Sequence, residues 1–167
     1  MSNPDTLFRW IENTDLSMWI VGSDSLFAFP GILAAHTVGM GLLAGLNGAL
    51  DLRLLGAARG IPPAAFTRFL PLMWIGLWIN VASGVTLVIA YPTKAFTNPV
   101  FYLKLALIAA ALAVLGTMVR RLRRGESESS TMRVLAAASL ATWIAAIFAG
   151  RFLAYTCNRL TVDLPCA

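Results

Sequence analysis

Histidine is almost missing from this chain: His36 is the single one among 167 residues. Charge is scarce too, at 13% against 58% hydrophobic residues, and the mean hydropathy is +0.73. There are no paired carboxylates, no nucleophile with a companion base and no phosphate-binding loop, so an enzyme is the least supported class. With so few polar residues the chain cannot cover the surface of a water-soluble domain of its size. One histidine also excludes, within one copy, a haem held between two imidazoles.

Long apolar runs are what the chain has in plenty. Crossing a hydrocarbon core of about 30 Å takes roughly 20 helical residues. Runs of that order lie near residues 26–50, 70–91, 100–119 and 133–155. The expected fold is all-α and integral to a membrane, with four transmembrane helices in an up-down bundle over residues 26–155. Residues 1–25 are expected to form an interfacial amphipathic segment and residues 156–167 an exported tail. The first 25 residues do not read as a cleavable signal, because they lack a basic start and carry Asp5, Glu12, Asp15 and Asp24. Pro4 after Ser2 and Asn3 marks a helix start. Leu7, Phe8, Trp10 and Ile11, then Leu16, Trp19 and Ile20, flank Asn13-Thr14-Asp15. A broken helix lying in the interface fits that pattern, with a partly ordered tail as the alternative.

A net charge of +5 raises the thought of nucleic acid, and its placement argues against it. Arg53, Arg59 and Arg68 follow the first run, and Arg120, Arg121, Arg123, Arg124 and Arg133 surround the loop after the third. The positive-inside rule then predicts a multi-pass protein of the bacterial inner membrane, with both Arg-rich loops cytoplasmic and both termini periplasmic. Contact with anionic lipid is a further reading of the loop from Arg120 to Ser130. Cys157 and Cys166 would lie on the oxidising side, where a disulfide between them can persist; two free thiols is the alternative.

Within the spans the chemistry is sparse. On an unbroken helix His36, Met40, Leu43, Asn47 and Asp51 share one side, opposite a seam at Gly41-x-x-x-Gly45 that suits close helix approach. Counting about 1.5 Å of rise per residue along antiparallel helices brings His36, Asn80, Ser83 and Thr142 into one polar layer near the midplane, with Ser139 close to it. Polar groups at that depth must bond one another, backbone carbonyls, water or a ligand. His36 can be a hydrogen-bonding link between helices, a quinone contact, or a ligand to a single b-type haem. His36 with Met40 makes a weak metal site at most. Lys104 is placed to extend toward the headgroups. Arg151, a turn inside the membrane boundary, is expected to extend to the headgroups, to pair with an acidic group of the N-terminal region such as Asp15 or Asp24, or to bind an anion or quinone carbonyl. Asp51 and Arg53 are two apart and cannot face each other, so each needs a partner elsewhere.

Three stretches together carry a resemblance: His36 leading into Asp51-Leu-Arg-Leu-Leu-Gly56; Ser83-Gly84 followed by Asn98-Pro-Val-Phe101-Tyr-Leu-Lys104; and Trp143 with Ala149-Gly-Arg-Phe-Leu-Ala-Tyr155. Over about residues 20–155 the chain resembles a family of uncharacterised bacterial four-helix inner-membrane proteins, a domain of unknown function. That family is distantly like the copper-resistance membrane domain and b561-type cytochromes. The resemblance implies four membrane helices in an up-down bundle rather than an activity. The paired histidines of the cytochromes are not found here, while the copper-handling relatives direct attention to His36 and Met40.

The function expected is that of a non-catalytic membrane protein, an accessory subunit of a larger respiratory or photosynthetic complex. The alternatives are a quinone- or haem-binding electron-transfer protein using His36, and a copper-handling or transport protein. The partners expected are the lipid bilayer and other membrane subunits or a homo-oligomer, without nucleic acid. A homodimer would bring two copies of His36 to one haem.

Overall fold

The computed structural model describes residues 4–127 and 129–155. The expected Cys157–Cys166 pair and its tail lie outside the described residues. Within them the chain is helical, with no strand. Two short helices come first, α1 (Pro4–Glu12) and α2 (Asp15–Gly22). Then follow α3 (Phe29–Leu55), α4 (Pro63–Ala90), the short α5 (Pro92–Thr97), α6 (Pro99–Arg123) and α7 (Ser130–Tyr155). Of these, α3, α4, α6 and α7 are long and apolar enough to cross a membrane.

Local chemistry sets the boundaries. Asn98 caps α6 by accepting the Val100 N–H at 2.9 Å, with Pro99 as first residue. Ser129 Oγ accepts the Met132 N–H at 3.2 Å and so starts α7. Gly56 and Gly125 end α3 and α6 at φ values of 114° and 80°, where a side chain would be strained. In both, the following N–H reaches back to the helix, Ala57 to Leu52 O at 2.9 Å and Glu126 to Arg121 O at 3.1 Å.

One irregularity organises the packing. Residues Gly41–Gly45 of α3 form a π turn. A π turn inserts one residue into the helical register, a rotation of about 100°. The side expected to run continuously from His36 to Asp51 is therefore split. The first half of α3 packs on α4 and the second half on α7.

Close approach occurs at Gly39 and Gly76. A Cβ on Gly39 would sit 2.8 Å from both Asn80 N and Gly76 O, and one on Gly76 would sit 2.7 Å from Leu42 Cβ. The expected seam at Gly41 and Gly45 is not used among the described residues, none of which comes within 4 Å of a Cβ at either beyond the helix's own backbone. The reason is angular. A contact face through Gly39 leaves Gly41 about 200° around the helix, pointing away from α4.

Two apolar clusters fill the interior. Leu43, Ala44, Met73, Ala111, Leu115 and Trp143 join all four long helices. Leu50, Leu54, Met118, Leu122, Met132 and Ala136 join α3, α6 and α7 nearer the Arg-rich end. At the opposite end α1 and α2 fold back onto α4 and α5. Phe8 stacks on Phe96 with centroids 5.6 Å apart, Ser17 donates to Ala90 O at 3.4 Å, and the Thr93 N–H donates to Glu12 at 3.4 Å. The pairing expected between Arg151 and Asp15 or Asp24 is not formed. Arg151 is exposed, and among the described residues the one ion pair is Arg121–Glu126 at 2.9 Å. Stacking and backbone hydrogen bonds hold the N-terminal helices instead.

The two kinds of glycine give opposite expectations. Gly76→Ala should lower stability by about 1–3 kcal/mol, the usual penalty of overpacking. Gly45→Ala should leave the unfolding midpoint in detergent unchanged or raised, and equal losses at the two sites would contradict the assigned face.

Candidate functional site

The expected polar layer is present in part. His36 Nδ1 lies 3.0 Å from Ser83 Oγ, and Asn80 Nδ2 donates to the His36 carbonyl at 2.9 Å. Gly39 and Gly76 make this possible by letting the α3 and α4 backbones touch. Ser83 directs its one hydroxyl hydrogen along its own helix, to Ile79 O at 2.6 Å, with Asn80 O at 3.2 Å. The serine oxygen is thus left to accept, and His36 Nδ1 carries the proton. The neutral imidazole then presents Nε2 as a lone pair. Gly84 gives the ring its space, since a Cβ there would lie 3.3 Å from His36 Cε1.

The other residues expected at the layer are distributed differently. Thr142 is half-buried and donates to Ala138 O of its own helix at 2.7 Å, without a hydrogen bond to the layer. Met40 packs against the apolar cluster around Leu43 and Met73. Arg151 faces outward. Lys104, expected to reach for headgroups, lies half-buried along α7, its Cε 3.5 Å from where a Gly150 Cβ would be. The layer therefore consists of His36, Asn80 and Ser83.

A second polar group was not anticipated as a unit. Asn47 donates to Asp51 Oδ2 at 2.9 Å and to Ser139 Oγ at 2.7 Å. All three side chains are fully enclosed. The i, i+4 spacing of Asn47 and Asp51 and the depth of Ser139 were signals for it. The π turn, which swings this part of α3 toward α7, had no clear mark in the sequence.

Two surface cavities complete the picture. One, of about 480 Å³, lies against α2 and the end of α4 and is lined by Glu12, Ser17, Met18, Val21, Ala90 and Tyr91. The other, of about 330 Å³, is polar and lies at the Arg-rich end between Arg53, Arg59, Pro63, Ser127 and Arg133. The two Arg-rich loops thus meet on one side of the molecule. Among the described residues no group of three or more His, Cys, Asp or Glu side chains is set to hold a metal ion. Comparison with protein-family models, curated proteins and solved structures finds no match for this chain.

Removing the acceptor of the His36 proton should be measurable. Ser83→Ala should lower stability by about 0.6 kcal/mol, the average for interhelical hydrogen bonds in membranes, and by no more than about 1.7 kcal/mol, whereas Thr142→Val should have no effect on the layer. Nitrogen-15 shifts of the single imidazole should report the Nδ1–H form in the wild type and a mixed population in Ser83→Ala. An Nε2–H imidazole in the wild type would refute the assigned hydrogen-bond direction.

Proposed function

We propose that this chain is a non-catalytic, multi-pass subunit of a larger bacterial inner-membrane complex, respiratory or photosynthetic. The observation that carries this reading is the outward face of α3. Ala34, Val38, Gly41, Gly45 and Ala49 are all exposed on it, and among the described residues no side chain covers the two glycines. Small residues at a membrane helix surface permit the close backbone approach that drives helix association in lipid. The chain uses that device internally at Gly39 and Gly76, so an uncovered second instance suits a helix of another subunit. Exposed Trp74 and Trp78 on α4 add broad aromatic surface.

In this reading the four long helices form an up-down bundle, with α1 and α2 in the membrane interface. The Arg-rich loops are cytoplasmic and both termini periplasmic. The meeting of Arg53, Arg59 and Arg133 around one cleft supports a common side for the two loops. The resemblance to uncharacterised four-helix inner-membrane proteins belongs to the same proposal.

One observation favours a second reading, a quinone- or haem-binding electron-transfer protein. His36 has its Nδ1 held by Ser83 and its Nε2 free as a lone pair, the state in which imidazole binds iron or accepts a quinol proton. The copper-handling reading gains no such support, because Met40 belongs to the apolar cluster.

Gentle purification from the native membrane decides between them. A stoichiometric partner should accompany the wild type and be lost from Gly45→Leu, and spectra before and after dithionite reduction should be flat. A reduced b-type band that vanishes in His36→Ala would overturn the subunit reading in favour of the second.

A further inference from the structure

Asp51 is the most secluded carboxyl among the described residues. It has no exposed surface, and neither have Asn47 and Ser139 beside it. Asn47 Nδ2 directs its hydrogens to Asp51 Oδ2 and to Ser139 Oγ. That leaves Asp51 Oδ1 and Asn47 Oδ1 with no hydrogen-bond partner among the described residues. The same stretch of α3 supplies Leu50 and Leu54 to the buried apolar cluster with Met118, Met132 and Ala136.

Among the described residues no cation forms an ion pair with Asp51. Arg53 donates to the Ile61 and Arg59 carbonyls, Arg59 donates to Gly56 O, and Arg121 pairs with Glu126. Arg68 on α4 and Arg133 on α7 form no ion pair with Asp51 among the described residues. An ionised carboxylate left uncompensated in such an interior is strongly disfavoured. Its charge has to be balanced by something small enough to fit among packed side chains. The available donors are oxygens of a carboxylate, an amide and a hydroxyl, a hard set that suits an alkali cation or a proton rather than a soft metal.

We propose that Asn47, Asp51 and Ser139 form an intramembrane binding site for one small monovalent cation, Na⁺ or a proton. Asp51 is its charge partner, while Asn47 Oδ1 and Ser139 Oγ are neutral oxygens within the same cluster. The amide of Asn47 holds Asp51 Oδ2 through Nδ2, and the oxygens it leaves unsatisfied in the cluster are Asp51 Oδ1 and its own Oδ1. Leu54, one turn further along α3, lines the polar cleft at the Arg-rich end, so the site stands about one helical turn from water.

The test uses the full-length protein in detergent at constant ionic strength. With Na⁺ as occupant, exchanging choline for Na⁺ raises the unfolding midpoint by several degrees in a saturable way, since a ligand specific to the folded state stabilises it. With a proton as occupant, the midpoint ignores Na⁺, and the infrared spectrum at neutral pH contains the carbonyl stretch of a protonated aspartic acid. That stretch shifts on carboxyl carbon-13 labelling of aspartate. Asp51→Asn abolishes whichever signal is found. If this variant does not accumulate, the labelled wild type and its Na⁺ response decide alone. A wild type with neither a Na⁺-dependent midpoint nor a protonated-aspartate stretch overturns the proposal.

Discussion

The contact of Gly39 with Gly76 sets the distance between the first two long helices, and the polar chemistry of that pair follows from it. Where the Cβ of any other residue would come within 3 Å of backbone atoms, the two glycines let α3 and α4 lie against each other. Only at that separation can Asn80 reach the His36 carbonyl and His36 reach Ser83. In lipid no hydrophobic drive joins helices, so such packing, with the hydrogen bonds it permits, is the cohesive force available. The bonds form between groups that would otherwise be stranded at membrane depth.

The π turn at Gly41–Gly45 gives one helix two allegiances. Before it, α3 belongs to α4; after it, α3 belongs to α7. A straight helix would have turned His36 and Asp51 toward one neighbour. The inserted residue instead separates an imidazole site from a carboxyl site along the same chain segment. Each site is then completed by a serine from a different helix, Ser83 in one case and Ser139 in the other. The apolar cluster around Leu43 and Trp143 lies between the two and joins all four long helices.

Much of this was legible in the sequence, for definite reasons. The long helices announce themselves because a span of about 20 apolar residues has few other uses. The level shared by His36, Asn80 and Ser83 follows from counting residues along antiparallel helices, and there the His36 ring meets Ser83 while the Asn80 amide meets the His36 carbonyl. Rotation about the helix axis was harder to read. Thr142 has the right depth and bonds its own backbone, and Gly41 and Gly45 have the right spacing and face outward. Depth depends only on rise per residue, whereas facing depends on accumulated angle, and one inserted residue spoils that count. Arg151 shows a related limit: its charge suggested an acidic partner, but backbone geometry and ring stacking hold the N-terminal helices.

The long helices contain 25 to 28 residues each. At about 1.5 Å per residue they measure roughly 38–42 Å, against a hydrocarbon layer of about 30 Å. The surplus has to be absorbed by leaning, or by end turns standing among the headgroups. At one end those turns carry Arg53 and Arg121, and at the other exposed aromatics such as Tyr102, Phe152 and Tyr155. Arginine stems can follow a receding surface, but rigid rings hold one level. In a thinner bilayer the arginine stems can extend to follow the surface, so the helix ends beside Asp51 have latitude that rigid rings do not.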